Sequence, residues 1–180
     1  MVPFSLFLDQ ISIPPPPGPV PSLYLAQCPL GELPELADSV PTPDYVLHAG
    51  KGDIYAINLW LGRAGAVNTP LHRDPNPNVF VQLAGRKRVR LFAPEVGERI
   101  MTEFGGGARR LRTPDEMMVG GRKDSLEKAV WGMERREESG DGDAIRGLEA
   151  EVGAGDGIFI PKGWWHAIKG VGSDGVTASV

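Results

Sequence analysis

The sequence predicts a mainly β fold in a single domain. Glycine and proline are abundant, with 24 and 17 residues in a chain of 180, and this composition favours many turns between short strands over long helices. Runs rich in β-branched and aromatic residues, such as residues 53–61, lie between the turn signals. A chain of this length is sufficient for about one domain that buries its own core.

The N-terminal region is predicted to hold a short helix and a link. Apolar side chains share one helical face over residues 4–11. The proline run at residues 14–17 ends this helix and is typical of an exposed polyproline II segment. We therefore separate residues 1–22 from the domain proper, residues 23–180. Residues 30–36 are turn-like or form one helical turn.

Strand character dominates the rest of the domain, apart from one polar insertion at about residues 94–153. Residues 122–146 contain six Lys or Arg and seven Asp or Glu, with few apolar residues. This segment is either partly helical, around residues 125–138 with Ser125 as a possible N-cap, or a solvated and partly disordered insertion. The predicted strands cover residues 23–27, 53–61, 69–74, 78–83, 86–92, 157–161 and 176–180.

Composition and charge exclude several classes of protein. The net charge of −4 argues against a general nucleic-acid binder, which is normally basic. Cys28 is the single cysteine, so no internal disulfide can form, and we expect an intracellular location in the cytoplasm, the nucleus or both. No run approaches the roughly 18 apolar residues that span a bilayer.

The chemistry is concentrated at two of the three histidines. His72 and Asp74 are separated by one residue, so on a strand both side chains point to the same face. His166 follows 92 residues after Asp74. Two imidazoles and one carboxylate form the facial triad that holds Fe(II) while leaving coordination positions open. One histidine alone is more often a core residue, but the set together predicts a metal site.

Lys87 is a further candidate for the functional site, because the strand pattern places this charged residue on an apolar face. Alternation over residues 86–92 places Lys87 on the same face as Val89 and Leu91, and the neighbouring arginines on the other. A lone charge on the apolar, inward face is costly without a partner. A bound dicarboxylate would be such a partner. The alternative is that Lys87 belongs, with its neighbouring arginines, to a basic strand face that is exposed to solvent.

Two groups of residues at fixed spacing resemble the signature motifs of the cupin superfamily. In the first group, Asp74 stands where the cupin motif usually has its second histidine, and Asn78 stands where that motif usually has a glutamate. That departure, with the stretches TPLHRDPNPN, QLAGRKRVRLF and GDGIFIPKGWWH, makes the chain similar to the JmjC family, and to its small JmjC-only hydroxylase branch. The resemblance implies a double-stranded β-helix, which is a jelly-roll fold. The motif positions are Gly65, His72, Asp74, Asn78 and Gly85 in the first group, and Gly155, Pro161, Gly163 and His166 in the second.

The resemblance also implies a set of site residues and cofactors. Fe(II), the cosubstrate 2-oxoglutarate and O2 are the expected cofactors. Lys87 would pair with the far carboxylate of 2-oxoglutarate, which suits an ammonium on an inward-facing strand position. The implied iron ligands are His72, Asp74 and His166, and the further residues implied to line the cosubstrate pocket are Asn78, Thr69 and Tyr24.

The resulting expectation is a dioxygenase that hydroxylates a protein side chain, with a protein or peptide as substrate and no membrane or direct nucleic-acid partner. The alternatives are a JmjC lysine demethylase and a catalytically silent cupin that acts as a binding or scaffold module. A further alternative is a cupin dioxygenase or isomerase that does not use 2-oxoglutarate. Lys87 distinguishes this alternative from the expected enzyme, because it is the residue implied to bind 2-oxoglutarate. The chain stops at Val180, where the family's last core strand continues, so a truncated C-terminal end is expected.

Overall fold

The computed structural model describes residues 3–13, 23–49, 52–105, 122–132, 145–172 and 175–180. These residues contain nine strands in two antiparallel sheets, so the mainly β prediction is confirmed. Sheet I has the strand order β1-β2-β9-β4-β7, and sheet II has the order β3-β8-β5-β6. The strands are β1 (Tyr24–Pro29), β2 (Asn58–Arg63), β3 (Asn68–Arg73), β4 (Asn78–Ala84), β5 (Arg86–Phe92), β6 (Leu148–Gly153), β7 (Gly157–Ile160), β8 (Trp165–Gly170) and β9 (Val176–Ser179).

The two sheets enclose a common interior. Its buried apolar cluster takes Phe80 and Ile160 from sheet I, and Val89, Val152 and Ile168 from sheet II. Strands that are distant in sequence lie side by side, because β9 pairs with both β2 and β4, and β8 pairs with both β3 and β5. Two facing antiparallel sheets with such crossovers form the jelly-roll architecture of a cupin-like domain.

Helices cover the outer faces of both sheets. The outer face of sheet I packs on α1 (Phe4–Ser12), a 3-10 turn (Leu30–Glu32) and α2 (Pro34–Ala37), around Leu59 and Leu61. One more short helix, α3 (Asp44–His48), precedes β2. The outer face of sheet II packs on α4 (Pro94–Phe104) and α5 (Arg122–Trp131), around Leu71, Phe92 and Trp165. Alternation along each strand therefore separates an inner face from a helix-covered outer face.

Gly85 carries the chain directly from sheet I into sheet II. It stands between β4 and β5 with a φ of +64°, a conformation that L side chains rarely adopt. A Cβ at this position would lie 2.5 Å from the carbonyl oxygen of Val176. The tight turn thus requires glycine, which gives a physical reason for Gly85 in the first motif.

The predicted N-terminal helix is confirmed as α1. Apolar residues of α1 pack against the cluster on sheet I, and Ile11 is buried there. The guanidinium of Arg63 donates hydrogen bonds to the carbonyls of Gln10 and Ile13. These bonds satisfy carbonyls that the end of a helix leaves without an intrahelical partner. The predicted polyproline link at residues 14–17 lies outside the described residues.

The strand predicted over residues 53–61 is wrong in its first half. Residues 53–57 have no regular secondary structure and are exposed, and Tyr55 is among the most exposed apolar side chains. β2 begins only at Asn58, where pairing with β1 starts, and it continues along β9. Strand propensity in residues 53–57 therefore forms no strand, because none of the described strands pairs with them and Ile57 only accepts a hydrogen bond from Leu30 in the 3-10 turn.

The structure differs from the sequence prediction at both ends of residues 94–153. The segment starts with α4, which was not predicted, and ends with β6, which pairs with β5 over six residue pairs. α5 begins at Arg122, before the predicted start at Ser125, and the predicted helix beyond residue 132 lies outside the described residues. β8 was likewise not predicted as a separate strand.

Candidate metal centre

His72 and His166 are neighbours across two paired strands. β3 and β8 run antiparallel, and the register places His72 directly opposite His166. Both imidazoles point into the interior, because Leu71 and Trp165, the residues beside them, pack in the outer cluster of sheet II. The two ring centroids are 4.1 Å apart. The antiparallel ladder thus unites two histidines that are 94 residues apart in the chain.

Asp74 completes the group from the turn that follows β3. One of its carboxylate oxygens lies 3.8 Å from His72 Nε2, and the other lies 3.6 Å from His166 Nε2. Asn78, at the start of β4, donates a hydrogen bond of 3.1 Å from Nδ2 to Asp74 Oδ2. The donor atoms of the three residues all lie within 4.8 Å of one another. The carboxylate therefore stands between two imidazole nitrogens and is oriented by an amide.

The protonation state of His72 suits a metal ligand. Its Nδ1 lies 2.8 Å from the carbonyl oxygen of Pro70. A carbonyl oxygen only accepts hydrogen bonds, so Nδ1 donates this one, and Nε2 is the nitrogen left to face a metal ion. Nε2 is the nitrogen that faces Asp74. A backbone carbonyl that fixes the tautomer in this way is a usual feature of histidine metal ligands.

His166 is buried and neutral at ordinary pH. Burial and, to a lesser extent, the nearby His72 lower the pKa of His166 from 6.5 to about 4, even though the Asp74 carboxylate acts to raise it. A neutral imidazole offers a lone pair to a metal ion. Two imidazoles and one carboxylate with their donor atoms close together fit the donor set of a non-haem iron centre. The three residues predicted from the sequence are thus brought together by the fold.

Lys87 lies in the same interior and has an unusual environment. Its side chain is 1% exposed, and its ammonium nitrogen lies 2.6 Å from Ser179 Oγ and 5.5 Å from the centre of the Phe80 ring. No carboxylate forms an ion pair with it among the residues that the structure describes. Burial lowers the pKa of Lys87 from 10.5 to about 7. The predicted inward orientation is confirmed.

The opposite face of β5 is neutralised by acidic residues. Arg86 and Arg88 pair with Glu151 at 2.7 and 3.1 Å, and Arg90 pairs with Glu149 at 2.5 Å. These glutamates are on β6, directly across the ladder. Basic and acidic side chains therefore alternate on the outside of sheet II, while Lys87 alone of these β5 cations points inward.

Three small or amide side chains around Lys87 were not predicted from the sequence. Ser179 and Thr177 on β9 and Gln82 on β4 are fully buried, and Gln82 Nε2 donates to Thr177 Oγ1 at 2.7 Å. The sequence does carry a signal for them, since alternation in the last strand places Thr177 and Ser179 on one face. That signal acquires a meaning only through the pairing of β9 with β4, which places Ser179 across from Gln82.

Tyr24 and Thr69 meet between the two sheets. Tyr24 on β1 and Thr69 on β3 have their hydroxyl oxygens 3.4 Å apart. Burial raises the pKa of Tyr24 to about 12, and the hydrogen bond to Thr69 partly offsets this effect. Tyr24 thus remains a neutral phenol. Its role in cosubstrate binding stays a prediction, as do those of Thr69 and Asn78, whose observed partner is Asp74.

The tryptophans beside His166 point to opposite sides, as alternation predicts. Trp165 is buried in the outer cluster beneath α4 and α5. Trp164 is partly buried and packs against the inner cluster between the sheets. His48, the third histidine, is exposed and takes no part in the site.

The chain belongs to the cupin-like family, and its relatives identify it as a JmjC domain. A family model described as a cupin-like domain matches residues 1–180. The chain is 27% identical to the lysine-specific demethylase JMJ30 of Arabidopsis thaliana, over 94% of this chain and 35% of that protein. It is 30% identical to lysine-specific demethylase 8 of Xenopus tropicalis, over 81% of this chain and 30% of that protein. It is 26% identical to Jumonji C domain-containing protein 5 of Drosophila melanogaster, over 81% of this chain and 33% of that protein.

The matched region spans about a third of the length of these relatives. The fold and family thus apply to the chain, whereas the activities in the relatives' names belong to longer proteins. No helix in the described part of the chain has the length and apolar character needed to cross a membrane.

Proposed function

We propose that this protein is an Fe(II)- and 2-oxoglutarate-dependent dioxygenase that hydroxylates a protein side chain. His72, Asp74 and His166 would hold the iron. The observation that carries the proposal is the gathering of their donor atoms within 4.8 Å, in an interior that also buries Lys87. Bound iron, 2-oxoglutarate and O2 would supply the oxidising chemistry, with 2-oxoglutarate converted to succinate and CO2 as the substrate is hydroxylated.

Lys87 supports the assignment of a dicarboxylate cosubstrate. A buried ammonium whose observed partner is one hydroxyl is under-compensated, and a carboxylate would provide the opposite charge. Leu91 on β5 is opposite His166, and Lys87 is four residues from Leu91 on the same strand. This offset is on the order of 13 Å along the strand. An extended ligand is therefore needed to connect the lysine with the metal residues.

Each of the other residues has a role that its contacts support. His72 and His166 would present neutral nitrogens from one side, and Asp74 would neutralise part of the metal charge. Asn78 would keep the Asp74 carboxylate oriented through its hydrogen bond. Tyr24 and Thr69 would border the cosubstrate with neutral hydroxyls. The enclosing sheets would exclude water from the reacting groups.

Lysine demethylation is the second candidate, favoured by the names of two of the relatives. Removal of an N-methyl group begins with hydroxylation of that methyl carbon, so the same metal site serves both reactions. The similarity to the small JmjC-only hydroxylase branch favours stable hydroxylation. Mass spectrometry of a peptide library distinguishes them, since a hydroxylase adds one oxygen whereas a demethylase removes a methylene group. We infer an intracellular protein substrate, in keeping with the single cysteine.

The first test is an anaerobic titration of the protein with Fe(II) and 2-oxoglutarate. We expect a visible charge-transfer band when both are present, because the keto and near carboxylate oxygens of 2-oxoglutarate chelate the iron at its open positions. Succinate, which lacks the keto group, is the matched control and should produce no band. Iron binding without a band would contradict the role of 2-oxoglutarate and support a cupin enzyme that does not use it.

The affinity for 2-oxoglutarate is expected to fall as pH rises above about 7. The pKa of Lys87 is lowered to about 7 in the unliganded protein, and a carboxylate beside it would raise that pKa again. Binding at about pH 8 should therefore take up close to one proton, whereas binding at about pH 6 should take up almost none at this group. Calorimetry of the Mn(II)-loaded protein in buffers of different ionisation enthalpy measures this uptake. Equal uptake at both pH values would contradict the pairing.

A further inference from the structure

The part of the β3–β8 ladder that carries the metal residues is short and isolated. Thr69 pairs with Ile168 and His72 pairs with His166, so β3 has one more residue than β8 between these two pairs. This bulge interrupts the ladder, as does Pro70, which has no N–H to donate. Beyond it only two pairs remain before β3 ends, namely His72 with His166 and Arg73 with Trp165. Backbone pairing alone therefore holds this segment weakly.

A cross-strand contact on the outer face reinforces these two pairs. Arg73 and Trp165 point away from the interior, one residue beyond the histidine pair on each strand. The guanidinium carbon of Arg73 lies 5.2 Å from the centre of the Trp165 ring. The same guanidinium donates a hydrogen bond of 3.0 Å to Glu98 on α4. Arg73 thus connects its own strand, the partner strand and a helix.

α4 provides a rigid support for this contact. A Cβ at Gly97 would lie 2.1 Å from the Trp165 ring, so the helix backbone rests directly on that ring. Trp165 is buried with Ile100 of α4 and Leu71 of β3. Glu98, which follows Gly97, is therefore held close to the end of β3. The outer contact of Arg73, Trp165 and Glu98 is called the Arg73 brace below.

We propose that Arg73 is a positioning residue for the metal centre. By holding the two residue pairs at the end of β3 in register, Arg73 fixes the separation of His72, Asp74 and His166. This inference rests on the proposed metal site. Arg73 and Glu98 are 35% and 60% exposed, and an ion pair so exposed contributes little to the stability of the fold. Loss of a group that orients a metal ligand, in contrast, typically reduces metal affinity about 10- to 100-fold. The brace thus affects the site more than the fold.

The test is a titration of the metal-free protein with Co(II), whose visible absorption reports on both affinity and coordination. In Arg73→Ala we expect affinity at least about tenfold weaker and an altered spectrum, while the melting temperature stays within about 4 °C of wild type. Arg73→Lys keeps the charge and should recover part of the affinity. Arg86→Ala is the matched control, because Arg86 is also ion-paired on the outside of sheet II. It should bind Co(II) as the wild type does.

Two further measurements keep the inference open to contradiction. Glu98→Gln removes the helix partner without changing β3, and it should weaken Co(II) binding by a smaller factor than Arg73→Ala does. Hydrogen exchange of the amides in β8 should be faster in metal-free Arg73→Ala than in wild type. Unchanged Co(II) affinity in both variants overturns the brace and leaves the metal site standing. A wild-type protein that does not bind Co(II) overturns the metal site and the brace together.

Discussion

Replacement of Asp74 by alanine is expected to abolish metal binding and leave the fold intact. The carboxylate is the only anionic group of the three, and each of its oxygens faces one imidazole. Without it, two imidazoles remain and no negative charge on these residues compensates the metal ion. We expect the affinity for Fe(II) or Co(II) to fall by more than the roughly 10- to 100-fold that a change beside a ligand causes.

The loss of binding should also be visible as a loss of metal-dependent stability. A ligand at 100 times its dissociation constant stabilises the folded state by about 2.7 kcal/mol, which corresponds to about 5–10 °C in the melting temperature of a chain of this size. Wild type should show this increase on addition of Co(II), and Asp74→Ala should not. Asp53→Ala, which removes an exposed carboxylate away from the site, is the matched control. A metal-dependent shift in Asp74→Ala equal to that of wild type would show that the triad is misassigned.

Replacement of Lys87 by methionine is expected to separate cosubstrate binding from metal binding. Truncation of one partner of a buried charge pair costs about 2–5 kcal/mol, so the affinity for 2-oxoglutarate should fall at least about 30-fold. The metal residues are unchanged, so Co(II) should bind as it does to wild type. Arg88→Met is the matched control, since Arg88 neighbours Lys87 on β5 but pairs with glutamates outside. Unchanged 2-oxoglutarate affinity in Lys87→Met would contradict the proposed function.

The same substitution should stabilise the protein in the absence of cosubstrate. The pKa of Lys87 is about 7 in the folded protein and 10.5 in an unfolded chain. Between pH 7 and pH 10.5 the unfolded chain therefore binds more protons at this lysine than the folded protein does. Lys87 therefore costs no stability above pH 10.5, and the destabilisation that it causes grows as pH falls to about 7. Lys87→Met removes this destabilisation but leaves the buried Ser179 hydroxyl without its lysine partner. We expect a net gain of about 1–3 kcal/mol near pH 7 in denaturant unfolding.

The candidate metal site was predictable because its residue types and their local spacing are visible in the sequence. His72 and Asp74 are separated by one residue, and the alternation of residues 86–92 is sufficient to place Lys87 on the inward face. These inferences need only the period of a strand, which is a local property. The contact between Lys87 and Ser179 needs more, because it joins β5 of one sheet to β9 of the other.

The errors in the fold prediction also arise where the structure depends on contacts between distant parts of the chain. Residues 53–57 have the composition of a strand, yet they remain exposed because none of the described strands pairs with them. β6 carries two glutamates and its side chains are mostly exposed, so its sequence resembles a polar insertion. It is a strand because β5 presents arginines in register with those glutamates. Pairing partners decide strand formation, and pairing is a non-local property.

The sequence by itself determined the mainly β class, the three candidate metal residues and the inward orientation of Lys87. Each of these depends on residue type and on the two-residue period of a strand. The tertiary structure decided which groups surround them: Pro70 and Asn78 orient His72 and Asp74, Ser179 contacts Lys87, and the Arg73 brace supports the histidine pair from outside. Such contacts depend on strand register and on the packing of α4, and these are set only when distant segments of the chain meet.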